Sequence, residues 1–278
     1  MYILAGTALA AVQTVAAEPA EITATGGART RSLFSSGKNT TIAVLDGGID
    51  ANHPAVRGAV VGSYDFSGSR TTDDANNNAG HATGIAAIYT GHSSSYVGLA
   101  PDAKILNGRI VTANDWTTDQ IAGNGLFWAV RNGAHVVNLS IGNNPQEGPV
   151  TEKLNLMVDY VVEKYGVNVV SAAGNETSSA VEYSPGGAYN GYSVGALMSG
   201  TYNQVSSFSN YATDGDQRTK PDLVAPGVDV TLAAANWESS RDYVKGNGTS
   251  FSAPMVGGVL AQMHTYGKSK KLSTSPLV

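Results

Sequence analysis

Residues 41–48 read Thr-Ile-Ala-Val-Leu-Asp-Gly-Gly (TIAVLDGG). An apolar, β-branched run of strand length breaks off at an Asp before two glycines, the pattern of a strand that turns sharply into a loop. Outward from it the same kind of run recurs at residues 104–111 (KILNGRIV), 135–139 (HVVNL), 167–172 (VNVVSA) and 192–197 (YSVGAL). Between these runs, residues 81–89, 119–131 and 151–165 carry helical periodicity. The last aligns Leu154, Met157, Val158, Val161, Val162 and Tyr165 on one stripe and stops at Gly166. Strands apolar on both faces that alternate with helices predict an α/β fold, a three-layer sandwich with a mostly parallel central sheet. Ligands of such sheets bind at the carboxyl ends of the strands, so polar residues directly after strands are the first candidates for chemistry.

The composition narrows the function classes. With 278 residues the chain is long enough for a substantial core, and 42% apolar against 14% charged residues argues against disorder. A net charge of −5 without a concentrated basic footprint argues against a nucleic-acid partner. The absence of cysteine removes disulfides, thiolate zinc sites and Cys nucleophiles together. The 33 glycines also suit a Gly/Asn-rich β-solenoid, but no sustained short-period repeat supports one.

The chain divides into four parts. Residues 1–17 are nearly uncharged and end in Val-Ala-Ala before Glu18, which fits a signal-peptidase site and equally an Ala-rich helix on the domain. They are too short to read as a membrane span. Residues 18–40 read as a polar linker or surface arm, 41–266 as the folded domain, and 267–278 as a polar, basic tail.

Three residues are placed for chemistry. Asp46 ends the first strand, His81 opens a helix of small residues (HATGIAAI), and Ser250 sits in the first turn after Gly246-Asn247-Gly248-Thr249. A Ser there lies near free N–H groups and the positive end of a helix dipole. Each has a plainer reading: Asp46 as a turn residue, His81 as a solvated helix-start histidine, Ser250 as an ordinary N-cap.

The segments VLDGGID (44–50), GHATGIAAI (80–88) and GTSFSAP (248–254), in the order Asp, His, Ser, resemble the subtilisin-like serine proteases, the subtilase family. SAAGNE (171–176) resembles that family's oxyanion-hole segment and NLSIG (138–142) its substrate-binding strand. VGLAP (97–101) and KPDLVAPG (220–227) look like two further family blocks. The resemblance implies a subtilisin-like fold and a serine endopeptidase. In it Ser250 is the nucleophile, His81 the general base, Asp46 the group that orients His81, and Asn175 a donor to the oxyanion. It also implies that an extended peptide pairs with Ser140, Ile141 and Gly142, while Ala172, Ala173 and Gly174 line the pocket for the residue before the scissile bond. Small side chains there suggest a large apolar residue at that position.

Some residues depart from the family pattern. Gly47 removes a side-chain hydrogen bond expected at Asp46, to be replaced by backbone N–H groups, and Ala82 and Gly84 replace a Gly and a His of the motif around His81. The chemistry requires no cofactor. The usual calcium ligands are missing, with Ala55 at an acidic position, so only weak calcium binding is in view, at residues 74–78 (DANNN). A polypeptide substrate, no nucleic acid, no membrane span and a secreted or extracytoplasmic setting complete the expectation. A silent peptide-binding domain of the same fold and an esterase are the alternatives.

Overall fold

The computed structural model of the chain describes residues 18–73, 80–112, 114–142, 152–176, 183–213, 218–234, 237–238 and 242–277. Residues 1–17 and 74–78 therefore lie outside the described residues. The first half of the chain contributes α1 (Ala20–Ala24), α2 (Gly27–Leu33), β1 (Thr41–Asp46), β2 (Val60–Asp65), α3 (His81–Thr90), β3 (His92–Ser93), β4 (Tyr96–Val97), β5 (Lys104–Arg109) and α4 (Asp119–Arg131). Then follow β6 (Val136–Leu139), α5 (Lys153–Tyr165), β7 (Asn168–Ala172), β8 (Tyr192–Leu197), β9 (Ala212–Thr213) and β10 (Thr219–Lys220). The chain closes with β11 (Leu223–Pro226), β12 (Val230–Ala233), β13 (Tyr243–Gly246) and α6 (Thr249–Ser269).

Seven strands form one sheet in the order β11-β8-β7-β6-β1-β5-β2, with every neighbouring pair parallel. Strand pleat decides the layers, because successive side chains point to opposite faces. Along β1, Ile42 and Val44 join the core beneath α3 and α6, while Ala43 and Leu45 join the core beneath α4 and α5. The expected three-layer α/β sandwich is thus the observed fold. From β1 the chain runs to β2 at one edge, returns through β5, and then builds the other half from β6 outward. That reversal opens a crevice at the carboxyl ends of β1 and β6.

Several boundaries differ from the sequence expectation. Residues 18–40, read as a linker or surface arm, form α1 and α2 and dock on the domain. Ile22 is fully buried, the buried Glu21 carboxylate accepts from Thr231 N, and Arg31 donates to Gly98 O at 2.8 Å. Ile22 is buried while Leu33 and Phe34, the other large apolar residues of the stretch, are exposed, so there is no periodicity to read. At the other end α6 runs to Ser269, past the expected boundary at 266, and Leu272 N closes it on Gly267 O at 2.9 Å. On α5 the stripe holds except at its end: Tyr165 is exposed, and Asn155 is buried in its place with Oδ1 accepting from Ser184 Oγ at 3.0 Å.

Candidate active site

Asp46 closes β1 with its side chain buried, and its carbonyl accepts from Ile110 N and Val111 N at 2.8 and 3.2 Å, which fixes the strand end. His81, the first residue of α3, presents Nδ1 to both carboxylate oxygens at 2.9 and 3.1 Å. An ionised carboxylate only accepts, so Nδ1 carries the proton and donates, and Nε2 faces the other way as the acceptor nitrogen. Gly47 N donates to Asp46 Oδ1 at 2.7 Å, supplying by backbone the bond its missing side chain cannot make. The ring rests on Phe251 at 5.3 Å between centroids. Gly84 lets α3 lie on β12, since a Cβ there would come within 3.1 Å of Leu232.

Ser250 is the second residue of α6, and its Oγ donates to Ser140 O at 3.3 Å. Pro254 explains why the two residues meet. A proline inside a helix has no N–H for the carbonyl four residues earlier, here Ser250 O. A buried carbonyl left without a donor costs about 1–3 kcal/mol. Ser140 Oγ fills the gap, donating to Ser250 O at 2.8 Å. In turn Ser140 Oγ accepts from Asn138 Nδ2 at 2.8 Å.

Asn175 follows β7 at the same end of the sheet. Its Oδ1 accepts from Thr249 N at 2.8 Å and Thr249 Oγ1 at 2.9 Å, and Gly174 N donates to Thr249 Oγ1 at 3.1 Å. The backbone N–H of Thr249 can only donate, so the oxygen of the Asn175 amide is fixed toward α6. Its Nδ2, a pure donor, lies beside Gly248.

Two depressions meet along residues 140–142. One, of about 480 Å³, is lined by Asp46, His81, Asp115, Trp116, Asp119 and Leu154 among others. The other, of about 230 Å³, holds Ala172, Gly174, Asn175, Glu176, Tyr183 and Ser250. Ser140, Ile141 and Gly142 line both. Of the residues expected to contact substrate, Ala173 alone lies apart: it is fully buried, with its N–H on Val194 O at 3.1 Å, because the strand pleat turns it inward. Sequence reasoning missed Glu176 and Tyr183. Tyr183 donates its hydroxyl to the Glu176 carboxylate, and burial together with that bond pushes the phenol up to about 12. Glu176 closes the SAAGNE motif and could have been read as a wall; nothing in the sequence pointed to Tyr183. Asp119, at the start of α4, is raised above the usual carboxylate range by burial and by Glu152, against Lys153.

Ala55, expected at a calcium-ligand position, is fully buried, and its N–H donates to His53 Nδ1 at 3.0 Å. Among the described residues no group of three or more His, Asp or Glu side chains is arranged to hold a metal ion. Among the same residues no helix is long and apolar enough to cross a membrane.

Comparison with known proteins bears on this geometry. A family model described as the subtilase family matches residues 37–275. The thermophilic serine proteinase of Bacillus sp. (strain AK1) is 35% identical over 236 residues, 84% of this chain and 54% of that protein. Thermitase of Thermoactinomyces vulgaris is 32% identical over 237 residues, covering 85% of this chain and 78% of its own. The chain thus spans about half the length of the first of these relatives and over three quarters of the second. Among solved structures, the prenylagaramide maturation protease PagA superposes with a TM-score of 0.72 at 25% identity, covering 90% of this chain and 84% of that one.

Proposed function

The chain belongs to the subtilase family, and from that premise we propose that it is a serine endopeptidase acting through Asp46, His81 and Ser250. The observation that carries the proposal is the Asp46–His81 contact at 2.9 Å at the mouth of a crevice that Ser250 and Asn175 also border. A serine hydroxyl is a poor nucleophile until a base takes its proton. In this reading Ser250 Oγ swings from Ser140 O toward His81 Nε2 and attacks the peptide carbonyl as its proton passes to the ring. Asp46 holds the tautomer and stabilises the imidazolium without taking the proton. Asn175 Nδ2 and the Ser250 N–H meet the oxyanion as it forms, which lowers the barrier because those bonds strengthen in the transition state. His81 then returns the proton to the leaving amine, and water releases the acyl group by the same steps in reverse roles. None of these steps requires a cofactor.

The peptide strand lies along Ser140, Ile141 and Gly142, and the smaller depression takes the side chain before the scissile bond. Glu176 and Tyr183 give that depression a polar wall, so a long side chain with a polar or basic tip suits it better than the purely apolar one suggested by Ala172 and Gly174 alone. The family and the Val-Ala-Ala pattern support secretion; sequencing the amino terminus of secreted protein tests it.

A fluorophosphonate serine probe tests the whole reading. The expected result is an adduct at Ser250, located by peptide mass, that Ser250→Ala abolishes and His81→Ala reduces at least about a thousandfold in rate. Folded protein that never labels sinks the reading in favour of a silent binding domain, and matched ester and amide substrates separate a peptidase from an esterase.

A further inference from the structure

We propose that Tyr89 is a positioning residue for Ser250, acting through a buried hydrogen-bond relay that crosses from α3 through β6 to α6; the functional half of this inference rests on the endopeptidase reading above. Tyr89 Oη donates to Asn138 Oδ1 at 3.0 Å, Asn138 Nδ2 donates to Ser140 Oγ at 2.8 Å, and Ser140 Oγ donates to Ser250 O at 2.8 Å. Tyr89 and Asn138 are fully buried and Ser140 nearly so. Burial holds the Tyr89 phenol well above its ordinary range, so it stays a donor.

The direction of the relay is set at Tyr89. Because the phenol occupies the amide oxygen of Asn138, Nδ2 must face Ser140, and the single hydroxyl proton of Ser140 must then go to Ser250 O. Pro254 supplies no N–H to that carbonyl, so the relay is what seats it. Helix α3 therefore carries His81 at its start and steadies the backbone of Ser250 from two turns further on. Gly257 of α6 makes the path open: a Cβ there would lie 2.2 Å from Tyr89 Oη. Without the phenol, Asn138 is free to flip, Ser140 to rotate, and the first turn of α6 to drift. Misplacement of that kind costs rate more than binding.

Tyr96 provides the matched control, a second fully buried tyrosine whose hydroxyl donates to Thr231 O at 2.9 Å, away from the crevice. Tyr89→Phe is expected to lower kcat and the rate of Ser250 labelling about tenfold with KM within about twofold, while Tyr96→Phe leaves both within about twofold of wild type. In a Ser140→Ala background, which cuts the relay downstream, Tyr89→Phe should cost nothing further in kcat. Equal kinetics for the two Phe variants overturn the proposal. Exchange of the Asn138 side-chain amide protons, followed by NMR, reads the relay without turnover: it should be slow in wild type and Tyr96→Phe and at least about tenfold faster in Tyr89→Phe. Equal exchange in all three proteins also overturns it. A wild-type protein that never labels, yet shows the exchange difference, removes the endopeptidase reading and keeps the relay.

Discussion

The two corners of the crevice are held in different ways. At the Asp46–His81 corner the two side chains hold each other directly, carboxylate to ring at 2.9 Å, with a strand end behind one and a helix start behind the other. At the Ser250 corner the side chain makes one long bond, Oγ to Ser140 O at 3.3 Å, and it is the backbone that neighbours hold, through Ser140 Oγ on Ser250 O and Thr249 on Asn175. The first corner depends on the identity of its own residues. The second depends as much on the neighbours that seat the Ser250 backbone, and substitutions there should be graded where those at the first are steep.

Asp46→Asn is the sharpest way to test this contrast. It preserves shape, but an amide nitrogen facing Nδ1 favours the wrong ring tautomer, and kcat should fall about 10⁴-fold with the fold intact by circular dichroism. A loss below about a hundredfold would show that the ring is oriented by something other than the carboxylate. Next comes Asn175→Ala, which removes the side chain proposed to donate to the oxyanion; kcat should drop about 10²–10³-fold while KM changes little in peptide hydrolysis. Thr249→Val is milder. It deletes the hydroxyl between Gly174 N and Asn175 Oδ1 but keeps the Thr249 N–H bond, so kcat should fall roughly tenfold. If Thr249→Val matched Asn175→Ala, the amide would owe its orientation to the hydroxyl alone.

The smallest expected effect lies behind the sheet. His264 on α6 packs its ring 4.1 Å from that of His135, whose Nδ1 accepts from Thr41 N at 3.0 Å. Burial, then the charges of His135 and Lys268, bring His264 down to about 4, and His135 is lowered by burial and Lys268. Both folded values lie below the unfolded one, near 6.5, so between them the unfolded chain binds more protons. The stabilisation is complete above about pH 6.5 and is lost as pH falls toward 4. Chemical denaturation at pH 7 and 4.5 should show His264→Leu losing roughly 1–3 kcal/mol less over that interval than wild type. Labelling at pH 7 should hardly change, which would separate the stability of α6 from the chemistry at its start.

How much of this was legible in the sequence depends on where each residue sits in the sheet. Strands β1, β6, β7 and β8 are buried on both faces and announce themselves as apolar runs, and α4 was read to the residue, with Thr118 Oγ1 capping it by accepting from Ile121 N at 3.2 Å. Strand β2 (VVGSYD) went unread because it lies at an edge, alternates between partly buried and exposed positions, and pairs with β5 alone. Strands β12 and β13 lie outside that sheet, pair only with each other and are four residues each, too short to stand out as apolar runs. Asp46, His81, Asn175 and Ser250 were named because each follows a strand or opens a helix within a recognisable motif. Asn138 and Ser140 stood inside a quoted motif, yet their hydrogen bonds depend on Tyr89 and Pro254, which sequence distance conceals. Tyr183 could not be reached at all: it lies only seven residues past Glu176, yet it belongs to no motif or periodic run that would aim its hydroxyl at that carboxylate.

The strand order has a consequence in time. The first partner of β1 lies more than sixty residues downstream (Thr41 against Lys104), and its second more than ninety (Ile42 against Val136). A sheet built from such distant pairings closes large loops before contacts repay them, which makes folding intrinsically slow. During synthesis β1 emerges long before either neighbour, as an apolar edge with nothing to pair. Asp46 is thus among the first of the crevice residues to leave the ribosome and Ser250 the last, so the crevice is complete only once α6 has begun to emerge.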